Sequence, residues 1–269
     1  LLTVLADEHH PAAHQLTQPL DNASAGSGPL VLDSWRAQEY VNLKKNPDYW
    51  GTPVRYDVVT FKYFADPNAM NAAMQAGQLD IISNLQAPDS LPLFADTSRF
   101  TTIEGTTTGE VVLGLNNSSK ALKDVRVRKA ITMAIDKQKL LDTVWGGKGT
   151  VINSMSVPTD PWYEDLGDVA PYDPDKAREL LADAGATKLN LRFRPAVLPY
   201  ATKAARFVAS ELNAVGIKTT VEELQFPEPW LSRIYSDADY DMTVIAHVEP
   251  FDVTNFANPN YYWRYADPE

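Results

Sequence analysis

The chain has 269 residues, of which 44% are hydrophobic and 22% are charged, as expected for a globular protein of one or two domains. Its net charge of −11 disfavours nucleic-acid binding, because an acidic surface repels phosphate groups. The chain has no cysteine, which excludes disulfides and thiolate catalysis, and it has no apolar run of about 18 residues that would predict a membrane span.

The first part of the chain combines a predicted hairpin with a predicted strand–helix–strand unit. The predicted strands are Leu30–Trp35, Tyr40–Leu43, Val58–Phe64 and Leu79–Ile82. Asp66 and Pro67 predict the start of a helix after the third strand, because Asp is a favourable cap and Pro is tolerated in the first turn. A helix between two nearby strands predicts a βαβ unit with parallel strands.

From residue 106 onward, helices and strands are predicted to alternate, which indicates the α/β class. The predicted strands are Val111–Leu115, Leu189–Phe193, Ile217–Val221 and Asp241–Val248. Three aspartates, Asp124, Asp136 and Asp173, are predicted helix caps. The flexible sequence EGTTTG at 104–109 is the best candidate for a domain boundary.

The segment 121–149 predicts two consecutive helices. Apolar residues recur at helical spacing in the first of them: Val127, Ala130, Ile131, Ala134 and Ile135. Gly146 and Gly147 are predicted to end the second helix, because glycine enters the left-handed conformation at little cost.

Two charged residues lie just beyond predicted strands. Glu249 follows the strand at 241–248, and Arg194 follows the strand at 189–193. Ligands of open α/β sheets bind at the carboxyl ends of the strands, so Glu249 could meet a cationic group and Arg194 an anionic one. The alternative is that both are ordinary surface residues.

Three further residues complete the candidate ligand-binding set. Asn116 follows the strand at 111–115, and His247 comes two residues before Glu249. Trp263 belongs to an aromatic cluster that could line a ligand site, although such clusters also form core or interdomain packing.

The sequence contains no pattern that predicts a metal site, a cofactor or an enzymatic activity. His9, His10 and His14 lack the pattern of a metalloprotease helix, and we expect no metal there. The glycine-rich run 146–150 has the wrong spacing for a phosphate loop. With no recognisable acid–base pair or nucleophile, a hydrolase is disfavoured.

The order of several short motifs resembles the extracytoplasmic solute-binding proteins of family 5, which serve peptide and nickel ABC importers. The motifs are AGSGPLVL at 25–32, NPDYWG at 46–51, AxxAGxxD ending at Asp80, DVRVRKAI at 124–131, YDPDKARELLADAG at 172–185 and DYDMTV at 239–244.

The resemblance implies a fold like the type II (cluster C) periplasmic binding proteins, with two lobes that close on a solute. The family's members are longer, so the chain is expected to hold a partial first lobe at 1–104 and most of the second lobe at 105–269, incomplete at its C-terminal end. It also implies an exported protein at the periplasmic or extracellular face of the membrane. A signal peptide and a lipid anchor would then lie outside this fragment.

In peptide-binding members an acid holds the peptide's amino group, and Glu249 matches that position. Arg194-Pro195-Ala196 resembles an Arg-Pro-Tyr element that holds the ligand's carboxylate, and His247 replaces an aromatic residue. The expected protein is a monomer without cofactor that binds a peptide or peptide-like solute and delivers it to the ABC permease. Nickel, opines, oligosaccharides and longer peptides stay open as ligands, and a ligand-sensing domain of a regulator is the alternative function.

Overall fold

The computed structural model describes residues 26–85, 87–248 and 253–266. These residues form two compact units, which are divided between Asp80 and Ile81. The lobe boundary expected at 104/105 stays a prediction. Within the described ranges, no helix combines the length and the apolar character that are needed to cross a bilayer.

The first unit contains a three-stranded antiparallel sheet in the order β1-β2-β3. Its strands are β1 (Leu30–Arg36), β2 (Tyr40–Lys45) and β3 (Val58–Lys62), followed by helix α1 (Pro67–Gln75). The predicted hairpin is confirmed, since Leu32 pairs with Leu43 and Arg36 with Tyr40. The predicted helix start is also confirmed, because the Asp66 carboxylate accepts a hydrogen bond from the Asn68 amide at 2.9 Å.

The predicted βαβ unit is wrong. Residues 79–82 form no strand, and the Ile81 side chain is 79% exposed. A strand exists only where a second backbone accepts its ladder of hydrogen bonds, and the described part of this unit offers no such partner to residues 79–82. A short apolar run expresses a preference that tertiary context can override.

The second unit contains four strands and five α-helices among its described residues. The strands are β4 (Glu110–Leu115), β5 (Asn190–Phe193), β6 (Lys218–Val221) and β7 (Met242–His247). The helices are α2 (Val125–Met133), α3 (Lys137–Trp145), α4 (Pro174–Asp183), α5 (Pro199–Ala214) and α6 (Val253–Phe256). Shorter helical turns are the 3₁₀ segments Pro88–Phe94, Lys120–Leu122 and Gly167–Val169 and the π segment Leu231–Ser236.

Four strands make one mixed sheet in the order β4-β7-β5-β6. Strand β7 runs antiparallel to β4 and parallel to β5, and β5 runs parallel to β6. All four strands were predicted from the sequence, and the predicted α/β class is confirmed. The central position of β7 agrees with its almost continuous apolar sequence, which suits a strand buried on both faces.

The sheet separates two apolar clusters. One cluster joins the helices to one face of the sheet, and it includes Ile131, Leu191, Leu212 and Met242. The other is aromatic and includes Trp230, Tyr240, Phe256, Tyr262 and Trp263. Alternation along β7 places Met242 and Val244 in the first cluster and Ile245 in the second, as expected for side chains that point to opposite faces in turn.

The helix ends follow the predicted capping residues. The carboxylates of Asp124, Asp136 and Asp173 each accept a hydrogen bond from a first-turn amide, at 2.8–2.9 Å. Gly146 ends α3 with a φ of 60°, in the left-handed region where glycine is favoured. The predicted apolar stripe of α2 is buried, with Ala130 and Ile131 fully covered.

Replacing Ile131 by alanine should strongly destabilise the second unit. The side chain is fully buried, and removing it should lower the free energy of unfolding by about 3 kcal/mol, since both apolar burial and packing are lost. Val125→Ala on the same helix is the control, because Val125 is 51% exposed, and it should cost less than about 0.5 kcal/mol. Urea unfolding followed by circular dichroism measures both, and equal losses would contradict this packing.

Candidate functional site

The carboxyl end of β7 meets the beginning of β4 at one edge of the sheet. His247, the last residue of β7, lies directly opposite Glu110, the first residue of β4. Both side chains are buried, with 3% and 4% of their surface exposed. The sequence analysis did not select Glu110, although a carboxylate that opens an apolar strand was a usable signal.

His247 is held by two tyrosine hydroxyls. Its Nε2 lies 2.8 Å from the Tyr262 hydroxyl, and its Nδ1 lies 3.3 Å from the Tyr261 hydroxyl. Its ring stacks on Tyr262, with the planes 21° apart. Burial raises the pKa of Tyr262, so this phenol keeps its proton. In its neutral form the imidazole has one donor and one acceptor nitrogen, so in that form one tyrosine donates to His247 and the other accepts.

Trp263 packs into the aromatic cluster, in a space that a glycine leaves free. Its ring stacks on Phe256 with the centroids 4.5 Å apart. A Cβ placed on Gly114 would lie 2.6 Å from the Trp263 Nε1, so the indole can occupy this position only because residue 114 has no side chain. Trp263 is 7% exposed, and its indole N–H meets no acceptor in the described part of the chain.

The Asn116 side chain uses its hydrogen-bonding capacity within the chain. Its Nδ2 donates to the carbonyls of Ala238 and Tyr240, at 3.0 and 2.9 Å. Its Oδ1 accepts from the amide and the hydroxyl of Ser118. This buried amide therefore links the end of β4 to the residues that precede β7.

Arg194 belongs to a network of ion pairs beside the start of β7. Its Nε lies 2.8 Å from Glu222 Oε2, and its Nη1 lies 2.6 Å from Asp239 Oδ2. The same guanidinium also donates to the Asp239 carbonyl. Arg233 shares both acids, and the hydrogen bonds from Arg233 and Arg194 lower the pKa of Asp239 to about 2.

The structure brings His247 and Trp263 together and places Arg194 elsewhere. The His247 and Trp263 ring centroids are 6.1 Å apart. The Arg194 carbonyl accepts from the Thr243 hydroxyl at 2.7 Å. Thr243 lies four positions before His247 in the strand, a span of about 13 Å. Glu249 lies outside the described residues, as do His9, His10 and His14.

Two further features of the described residues bear on ligand binding. No group of three or more acidic or histidine side chains within the described ranges is arranged to hold a metal ion. An open hollow of about 520 Å³ is lined by residues of the segment 91–104, including Leu91, Phe94 and Glu104. None of the predicted site residues contributes to its lining.

Comparison with known proteins decides the family. The model for "Bacterial extracellular solute-binding proteins, family 5 Middle" matches residues 1–267. The chain belongs to this family. The resemblance noted in the sequence is thereby confirmed, and the family's description implies an extracytoplasmic location.

The sequence is also similar to named binding proteins from several bacteria. A putative ABC transporter peptide-binding protein of Brucella abortus is 33% identical over 165 residues, which are 61% of this chain and 31% of the relative. The dipeptide-binding protein of Escherichia coli is 27% identical over 235 residues, 84% of this chain and 44% of that protein. The chain thus spans less than half the length of these relatives.

Two solved structures share the fold of this chain. The oligopeptide-binding protein AppA of Bacillus subtilis, solved with a nonapeptide, matches with a TM-score of 0.77 and 23% identity over 90% of this chain and 53% of that chain. NikA of Brucella suis, solved with Fe(III)-EDTA, matches with a TM-score of 0.74 and 24% identity over 88% of this chain and 52% of that one. The predicted type II periplasmic-binding-protein fold is confirmed.

A methyl group on Gly114 should disturb the aromatic cluster. The added Cβ would displace the Trp263 indole, so Gly114→Ala should lower the free energy of unfolding by about 1–3 kcal/mol. Gly105→Ala is the control, because a Cβ there meets no atom within 4 Å. Urea unfolding and the near-ultraviolet dichroism of the aromatic residues measure the effect. An unchanged aromatic spectrum in Gly114→Ala would refute the close contact.

The network around Arg194 should make stability depend on pH in the acid range. Folding lowers the pKa of Asp239 from 3.8 to about 2, so its ionised form stabilises the folded state. This contribution is complete above the unfolded pKa and is lost as the pH falls through the folded one. Asp239→Asn should therefore flatten the fall of the urea midpoint between pH 4 and about 2. The exposed neighbour Asp237, changed to Asn, is the control and should leave the slope as it is in the parent chain.

Proposed function

We propose that this chain is part of the solute-binding component of an ABC importer. In this role it captures a peptide or peptide-like solute between two lobes and passes it to the membrane permease. The match to the family 5 model over residues 1–267 carries the proposal. The names of the relatives support the peptide class, since they describe peptide-binding and dipeptide-binding proteins. The chain covers less than half the length of those relatives, and we therefore include the activity of the whole protein in the proposal.

The proposal includes the organisation expected from the sequence. Residues 1–104 would contribute to the first lobe and residues 105–269 to the second. The protein would act as a monomer at the outer side of the membrane, after export by a signal peptide and with a lipid anchor. It would bind and release its solute without chemical change, in keeping with relatives that are named as binding proteins.

The edge of the sheet at the end of β7 is the proposed binding position. His247 and its tyrosine partners would form a rigid floor, because each ring is fixed by stacking and hydrogen bonds. Glu249, two residues further along the chain, would bind the solute's ammonium group. Trp263 would support this floor through ring packing. Asn116 lies at the opposite end of the β4–β7 pair, where it would act only by linking the end of β4 to the residues that precede β7.

The sequence predicts Arg194 as the partner of a solute carboxylate. Its contacts in the structure favour a role in stabilising the fold instead. Its guanidinium already pairs with Glu222 and Asp239, and only 10% of its side chain is exposed. An arginine in this position stabilises the fold first. Arg194 would contribute to solute binding only if Glu222 and Asp239 shared its guanidinium with the solute.

Replacing Glu249 by alanine should weaken binding of amine-bearing peptides. If the ammonium group is buried against this carboxylate, the loss should be about 2–5 kcal/mol. Calorimetry with a panel of di-, tri- and oligopeptides measures it in the chain and in any longer protein that contains it. Glu164→Ala, in the loop that precedes α4, is the control. Equal affinities for the parent and Glu249→Ala would remove Glu249 from the site.

Replacing Arg194 by methionine separates its two roles. A structural role predicts a loss of about 1.5–3 kcal/mol in unfolding free energy, because the hydrogen bonds of Arg194 to Glu222 and Asp239 are lost while Arg233 still pairs with both acids. Arg206→Met is the control, since the Arg206 side chain is 71% exposed and should cost less than about 1 kcal/mol. A stable Arg194→Met variant that no longer binds peptides would show a direct role in solute binding instead.

A further inference from the structure

A basic surface lies at the start of α2, in a chain that is otherwise acidic. Five of the chain's 24 lysine and arginine residues fall between positions 120 and 129, where Asp124 is the only acid. The basic surface is defined here by Lys120, Lys123, Arg128 and Lys129. The role proposed above for the end of β7 does not involve it.

Local geometry brings Lys120, Lys123 and Arg128 close together, and Lys129 follows Arg128 on α2. Lys120 and Lys123 are three residues apart at a 3₁₀ turn, where residues i and i+3 point the same way. The Nη1 of Arg128 donates to the carbonyls of Leu122 and Lys123, at 2.8 and 2.9 Å, so its charge lies beside Lys123. Lys129 lies one turn beyond Val125 on the same side of α2.

The ammonium groups of this surface are not neutralised by nearby acids. In the described part of the chain, Lys120, Lys123 and Lys129 are exposed and form no ion pair. Arg126, by contrast, is paired with Asp124 at 2.6 Å. Other lysines of the protein do form ion pairs: Lys44, Lys45, Lys139, Lys148, Lys176 and Lys203. The positive charge at the start of α2 is therefore available to a partner.

An exposed apolar residue lies within this surface. Val125, the first residue of α2, is 51% exposed. Lys123 lies two residues before it and Lys129 one helical turn after it, while its direct neighbours Asp124 and Arg126 pair with each other. Lysines near an exposed apolar side chain are complementary to a partner that carries negative charges over an apolar layer. An anionic bilayer is such a surface, since it combines charged headgroups with acyl chains.

We propose that the basic surface binds the headgroups of anionic phospholipids. Charges further away than about 10 Å are screened at physiological salt, so the local positive charge decides the attraction despite the net charge of the chain. The lysines project from an exposed turn and an exposed helix face, which favours several headgroups of a membrane over one enclosed phosphate. This contact would hold the protein at a membrane with the start of α2 facing the lipid.

Flotation with lipid vesicles tests the proposal on the full chain. The probe is vesicles of phosphatidylcholine with about 30% phosphatidylglycerol, and pure phosphatidylcholine vesicles serve as the neutral reference. The parent chain should bind the anionic vesicles in low salt and bind neutral vesicles at least about 10-fold less. Salt at about 0.5 M should release it from the anionic vesicles, because screening increases with ionic strength.

Two variants with the same change in net charge locate the contact. Changing Lys120, Lys123 and Lys129 to Gln should reduce binding to anionic vesicles at least about 10-fold. Changing Lys62, Lys188 and Lys218 to Gln should reduce it less than about 3-fold, because these lysines lie outside the basic surface. Circular dichroism and urea midpoints equal to those of the parent establish that both variants fold.

Three results would overturn the proposal. The parent chain could fail to bind anionic vesicles, the two triple variants could lose binding equally, or neutral vesicles could bind as well as anionic ones. If the parent ignores vesicles and instead binds polyglutamate through the same three lysines, the surface recognises acidic protein and the assignment to lipid is wrong.

Discussion

The central strand β7 is covered on both faces, and the second unit is built around this constraint. Met242 and Val244 face the helices, while Thr243 and Ile245 face the aromatic cluster. The single hydroxyl in this strand is satisfied, because Thr243 accepts from the Trp230 indole and donates to the Arg194 carbonyl. A strand that is packed and hydrogen-bonded in this way cannot shift without disturbing both clusters. The residues at its end are therefore presented in a fixed position.

Most of the second unit could be predicted because its signals are local. An aspartate cap, a first-turn proline and a glycine stop act on backbone groups within one turn, so Asp173, Pro174 and Gly146 could be assigned from their neighbours alone. The apolar stripe of α2 likewise reports the face that becomes buried. The buried positions of α2 recur at the helical period, so the spacing of apolar residues in the sequence identifies them.

The parts that could not be predicted depend on contacts between distant residues. The expected strand at 79–82 failed because strand formation requires a partner, which a local pattern does not identify. Arg194 was chosen for its place after β5, but its acids at 222 and 239 are 28 and 45 residues away in the chain. Glu110 was missed because its position opposite His247 follows from the pairing of β4 with β7.

The tryptophans of the protein range from almost fully buried to highly exposed, so their fluorescence can be partly separated. Trp230 is 1% exposed and Trp263 7%, and both lie among the tyrosines behind the end of β7. Trp50 is 83% exposed in the first unit. A small neutral quencher such as acrylamide would quench the exposed indoles most strongly and Trp230 and Trp263 least. The remaining signal would report the state of the aromatic cluster without any attached label.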